Sequence, residues 1–116
     1  MRRQEGFTLI ELMIVILIIG ILVGIAVPVF LAAQRNAKTK ACLSNQRSFL
    51  SAADIYAADK GGYPTASTVG EDWPSSYYKG AMASNAPSCP AGGTVSISYG
   101  NSETRPSTSC TSHGTP

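Results

Sequence analysis

Apolar residues are spread unevenly along this chain. Residues 12 to 33 are 22 consecutive positions without a charge, and Ile, Leu and Val fill every face of a helix drawn from Leu12 to Ile19. A helix in the core of a soluble domain shows a polar stripe, and this segment has none. At about 1.5 Å per residue it reaches about 33 Å, enough to cross a hydrocarbon layer of about 30 Å. From Gln34 to Lys60 the pattern changes: Ala, Gln, Arg, Lys and Leu dominate, with neither Pro nor Gly. Projected at about 100° per residue, Cys42, Phe49, Leu50, Ala53, Tyr56 and Ala57 share one face, which predicts a helix that carries a globular region on that stripe. Ser44, Ser48, Ser51 and Ile55 lie opposite, where an isolated Ile is either a contact for a neighbouring subunit or a tolerated exposed residue. Gly61-Gly62 followed by Tyr63-Pro64 predicts the end of the helix at about residue 60.

Beyond Pro64 the periodicity shortens. Residues 65 to 90, with Pro74, Pro87 and Pro90 among scattered Ser and Gly, read as an ordered loop with one short strand around Tyr77 to Met82. Thr94 to Tyr99 alternates Val95, Ile97 and Tyr99 with Thr94, Ser96 and Ser98, the mark of a half-buried strand. Gly100-Asn101 permits a turn, and Ser107 to Thr111 is the returning strand. The fold class is α+β: a long N-terminal helix, membrane-spanning in its first half, with a small antiparallel sheet packed on its second half.

Composition narrows the function. The chain has 116 residues, room for one small domain, and only 14% of them are charged against about 25% in a typical soluble domain. Residues 65 to 116 hold 18 Ser or Thr and only 8 large apolar or aromatic side chains, too few for a sizeable core. A net charge of +2 is too mild for a dedicated nucleic-acid binder. One His and few carboxylates argue against acid–base catalysis, so no enzyme is expected.

The residues ahead of the apolar run, Met1-Arg2-Arg3-Gln4-Glu5-Gly6, form a basic tip of the kind retained in the cytoplasm. An ordinary secretory signal is the alternative, with Gly24-Ile25-Ala26 as a small-x-small cleavage site. The segment Gly6-Phe7-Thr8-Leu9-Ile10-Glu11-Leu12 resembles the processing site of type IV pilins and pseudopilins, and Pro28 stands where that family places it. The resemblance covers about residues 1 to 40; Cys89-Pro90-Ala91-Gly92-Gly93 and Cys110-Thr111-Ser112-His113-Gly114 are similar to the ends of some small bacterial members. It implies a leader at residues 1–6, cleavage between Gly6 and Phe7 by a prepilin peptidase, and N-methylation of Phe7. It also implies a transmembrane and assembly helix at 7–33 and a small pilin head at 34–116. The implied life history is a single pass in the cytoplasmic membrane, N-terminus inside, in contact with lipid. The pilus assembly machinery then transfers the chain into an extracellular homo-oligomeric helical filament.

Four sets of residues carry chemistry. Glu11 is the only ionisable side chain from Phe7 to Ala33, and a carboxylate at the centre of a membrane helix costs roughly 2.5 to 3.5 kcal/mol. The processed amine of Phe7, one helical turn away, would neutralise it within a chain or from a neighbour. Gly20, Gly24 and Pro28 weaken the helix, since Pro28 leaves the Gly24 carbonyl without its partner. They suit either local unwinding during assembly, as the resemblance implies, or a small-residue packing face. Arg35, Lys38, Lys40 and Arg47 form a basic patch for lipid headgroups or solvent, with DNA a secondary candidate. Cys42, Cys89 and Cys110 are odd in number, in a region the resemblance places where disulfides persist. Cys89–Cys110, flanking the strand pair, is the expected bridge, tying the sheet of a core-poor region; Cys42–Cys89 is the alternative. With His113 the cysteines have the right ligand types for zinc but lack a Cys-x-x-Cys pair, so neither a metal nor a cofactor is assigned.

Overall fold

The structure is a computed structural model that describes residues 5–116. Met1 to Gln4, and with them the basic Arg2-Arg3 tip of the expected leader, lie outside the described residues. The elements in chain order are α1 (Leu9–Lys60), a 3₁₀ turn (Ala66–Thr68), β1 (Met82–Ala83), β2 (Ala86–Pro87), β3 (Val95–Ser98) and β4 (Ser107–Cys110). The chain divides into two compact units, Met1–Gln34 and Arg35–Pro116, and α1 supplies residues to both.

The described part of the first unit is almost wholly helix. Its Leu, Ile and Val side chains are exposed on every side, and the helix is long and apolar enough to cross a membrane. Helical hydrogen bonding satisfies the backbone internally, which is the condition for an α-helix to enter hydrocarbon. The helix continues through Gly20, Gly24 and Pro28 without a break.

The second unit is built on the later part of α1. Cys42, Gln46, Phe49, Leu50, Ala52, Ala53 and Tyr56 are buried, so the stripe expected from the periodicity is the one that packs. Ala57 is half-buried at its edge, and Gln46 and Ala52 join it. Phe49 is the hub of the core: the Trp73 and Tyr78 rings meet it edge-on with centroids at 5.0 and 5.3 Å. Tyr56 extends the cluster to Trp73 at 5.6 Å and Tyr77 at 5.1 Å. Edge-to-face pairs at such distances contribute about 0.5 to 1.5 kcal/mol beyond area burial. Trp73, fully buried, donates its indole N–H to the Tyr99 hydroxyl at 3.0 Å, so the ring is covered without stranding its donor.

The expected strand around Tyr77 to Met82 is not formed. The amides of Tyr77 and Tyr78 donate to the Pro74 carbonyl at 3.0 and 2.8 Å, folding a turn that delivers both rings to the aromatic core. Pairing begins later, where β1 and β2 make a short antiparallel hairpin. Its two loop residues, Ser84 and Asn85, have φ of 51° and 63°, the left-handed geometry of a tight hairpin turn whose twist matches its strands. The second pair agrees with the alternation: β3 and β4 are antiparallel, with Val95 opposite Cys110 and Ser98 opposite Ser107. Val95 on β3 and Thr108 and Cys110 on β4 face inward, whereas Ser96, Ser98, Ser107 and Ser109 face solvent. The Arg105 guanidinium anchors the loop between the strands to Asp54 of α1 through two bonds of 2.9 and 2.8 Å.

The disulfide expected to tie the sheet is not formed in the structure: Cys42, Cys89 and Cys110 are free thiols whose sulfurs lie close to one another.

Candidate functional site

At the start of α1 the backbone has four amides without intrahelical partners. Thr8 and Glu11 satisfy two of them reciprocally: the Glu11 amide donates to Thr8 Oγ1 at 3.2 Å, and the Thr8 amide donates to Glu11 Oε2 at 2.9 Å. This is a capping box, the Thr-x-x-Glu arrangement that fixes where a helix begins. Glu11 therefore has a role in its own chain beyond the charge pairing expected of it. The signal was legible in the spacing of Thr8 and Glu11, and a reading centred on the cost of the charge passes over it. Phe7, just ahead of the cap, is 93% exposed. At Gly20 and Gly24 an added Cβ would meet nothing within 4 Å, so nothing within this chain requires glycine there.

Arg35, Lys38, Lys40 and Arg47 are all exposed, and among the described residues none of them forms an ion pair. Ser44, Ser48, Ser51 and Ile55 are exposed as well, Ile55 to 60%.

A third constellation lies in the second unit. Cys42 on α1, Cys89 in the loop after β2, Cys110 at the end of β4 and His113 in the turn that follows bring their ligand atoms within 4.8 Å of one another. His113 Nδ1 stands 3.5 Å from Cys89 Sγ and 3.8 Å from Cys110 Sγ. Cys42 and Cys110 are buried, while Cys89 and His113 are half-buried. Local structure holds each one. Cys110 and Gly114 exchange backbone hydrogen bonds of 2.8 Å in both directions, closing a loop around His113, and Gly114 adopts φ of 73° to do so. At Gly93 an added Cβ would come within 2.8 Å of Cys110 Sγ, so only glycine lets the Cys89 loop pass this sulfur. Gln46, buried one turn from Cys42, donates its amide to Cys42 Sγ at 3.6 Å and to the Gly114 carbonyl at 3.3 Å. Sequence reasoning missed Gln46, because a polar residue on a core stripe gives no hint of its partner.

The thiols are not equivalent. Burial pushes Cys42 up to about 12, with the neighbouring sulfurs adding to the effect. Burial would raise Cys89 too, but hydrogen bonds from Cys42, the Ala91 and Gly93 backbone and Cys110 outweigh it and bring the thiol down to about 7. The absence of a Cys-x-x-Cys pair, which led the sequence reading to assign no metal, does not prevent the fold from assembling a four-ligand cluster.

Residues 1–27 match the model of the prokaryotic N-terminal methylation motif. The chain is 41% identical over 64 residues to type II secretion system core protein G of Aeromonas hydrophila, a match spanning 55% of this chain and 45% of that protein. The corresponding core protein G of Vibrio cholerae is 38% identical over 65 residues, spanning 56% and 46%. The type IV major pilin protein PilA of Myxococcus xanthus is 52% identical over 61 residues, spanning 47% of this chain and 28% of the pilin. The chain thus spans less than half the length of each of these relatives. No solved structure matches it at a comparable level of significance.

Proposed function

We propose that this chain is a prepilin-like structural subunit, anchored in the cytoplasmic membrane by its N-terminal helix and assembled through that helix into a type IV pilus or pilus-like filament. The observation that carries the reading is the helical segment of the first unit, apolar and exposed on every face, that starts at a Thr8–Glu11 cap inside a methylation motif. In water such a surface is unsatisfied. Bilayer lipid and a bundle of identical helices are the two surroundings that cover it, and a subunit that passes from the first to the second uses both. Processing between Gly6 and Phe7 by a prepilin peptidase, with methylation of Phe7, frees the helix for that transfer. Gly20, Gly24 and Pro28 supply close approach or local unwinding in the bundle. No catalytic role is assigned.

A second reading has its own support. The relatives include core proteins of type II secretion systems as well as a major pilin, so a secretion pseudopilin or minor pilin that contacts cargo, a surface or DNA shares the same anchor. The basic residues Arg35, Lys38, Lys40 and Arg47 would then face headgroups before assembly and a polyanion afterwards. Mass spectrometry of filaments sheared from cells tests both readings. A dominant band starting at methylated Phe7 identifies a major subunit, a trace of the same species a minor one. A mature N-terminus at Val27 overturns the filament reading.

A further inference from the structure

We propose that Cys42, Cys89, Cys110 and His113 form a structural zinc site that joins α1 to the end of β4. Four donors from three stretches of chain converge within 4.8 Å, and no other His or Cys exists in the sequence, so every residue of these two kinds is in the cluster. Zinc holds thiolate sulfur at about 2.3 Å and imidazole nitrogen at about 2.0 to 2.1 Å, so tetrahedral donors stand roughly 3.5 to 3.8 Å apart. The distances of 3.5 and 3.8 Å from His113 Nδ1 to Cys89 and Cys110 already have that spacing. A disulfide would draw two sulfurs to about 2.05 Å and leave the third sulfur and the imidazole without a task. Three soft thiolates and one imidazole in a tetrahedron select zinc among common divalent ions. All four positions are filled by protein, which makes the site structural rather than catalytic.

The surroundings are those of a thiolate–metal centre. Three thiolates around a dication leave one negative charge, and the Gln46 side-chain N–H, 3.6 Å from Cys42 Sγ, is placed to spread it. Outer partners of this kind hold ligands in position and tune affinity. Cys89 and His113, half-buried, leave an entry side, whereas Cys42 and Cys110 close the other. The unit also needs such a tie, since its aromatic core lies around Phe49 and Trp73 and the cluster around the cysteines has only Val95 as a further buried apolar side chain.

The experiment uses the full chain in detergent micelles, purified anaerobically without chelator. Elemental analysis is expected to find one zinc per chain. Exchange for cobalt should give the thiolate charge-transfer band and the intense visible bands of a tetrahedral sulfur–nitrogen site. In competition with a chromophoric chelator, Gln46→Ala should weaken affinity roughly 10- to 100-fold, and His113→Ala by more. His113→Cys should keep the metal and intensify the charge-transfer band. Because the cobalt spectrum is read on the unaltered chain, a variant that misfolds does not decide the matter. A folded wild-type chain that takes up neither zinc nor cobalt overturns the proposal. So does recovery of a Cys89–Cys110 or Cys42–Cys89 disulfide from chain alkylated at the moment of extraction from cells.

Discussion

Glu11 caps its own helix, and the proposed filament gives the same side chain a second role between subunits. Its carboxylate accepts the Thr8 amide, which fixes the first turn of the helix, and its negative charge has no partner among the described residues of its own chain. Two substitutions separate these roles. Glu11→Gln keeps an acceptor for the capping box and removes the charge; Glu11→Ala removes both. Both variants should insert in the membrane, since each lowers the cost of placing the helix in hydrocarbon. Both should fail to build filaments, because the terminal amine of a processed neighbour would be buried without an anion, at about 3 to 5 kcal/mol per subunit. Filaments of normal number and length from the Gln variant, counted by electron microscopy, would show that the cap and not the charge is required. Tyr77 gives a second test at this scale. Its phenol hydrogen-bonds to the Asp59 carboxylate, which together with partial burial and nearby charge raises it from 10.0 to about 12. Between these values the folded chain keeps a proton that the unfolded chain releases, so stability is intact below about pH 10 and falls as the pH rises toward 12. Asp59→Asn should bring the phenolate absorbance transition of Tyr77 back toward pH 10.

At the scale of elements, the stripe on α1 determines what the later chain must supply. Phe49 and Tyr56 present ring faces and edges about two turns apart, and the loop after the helix answers with Trp73, Tyr77 and Tyr78. Phe49→Ala should cost about 3 to 5 kcal/mol, the range for a large aromatic removed from a packed core, and thermal unfolding followed by near-ultraviolet circular dichroism measures it. Arg105→Ala should cost far less. The pair with Asp54 has good bidentate geometry, but both side chains are nearly half exposed, at 48% and 45%, and exposed pairs contribute about 0.2 to 1 kcal/mol. A loss above about 2 kcal/mol on the same assay would mean that the guanidinium also holds the loop between β3 and β4 in place.

For the whole molecule, the consequence of the zinc proposal is a linked stability. An ion that binds the folded head and not the unfolded chain stabilises it by mass action. Chelator added to the reduced, metal-loaded chain should lower the melting temperature of the Arg35–Pro116 unit and leave the helical signal of the apolar segment in its micelle unchanged. Restoring zinc should reverse the shift; an unchanged melting temperature would mean that the aromatic core holds the head by itself. The first unit draws its order from a different source, internal backbone hydrogen bonds in an apolar surrounding, so the two parts should respond separately to the same reagent.

What the sequence by itself determined is whatever depends on local periodicity and on residue chemistry read in order. The uncharged run from Leu12 to Ala33 requires an apolar surrounding in any arrangement of the chain. The stripe from Cys42 to Tyr56, the stop at Gly61 and the alternation from Val95 to Ile97 follow from periods of 3.6 and 2, and the structure places helix, end and strand accordingly. Tertiary structure decided whatever depends on partners remote in sequence. The short apolar stretch from Tyr77 to Met82 carries the same local signal for a strand as for a turn, and the pull of Phe49 and Trp73 on its tyrosines resolved it. Cys110 and His113 stand three residues apart, but Cys42 and Cys89 are too remote in sequence for any spacing rule to join them to that pair. Only the closing of β4 against α1 brings four ligand atoms to one point, because that convergence is set by packing of the head and not by the order of its residues.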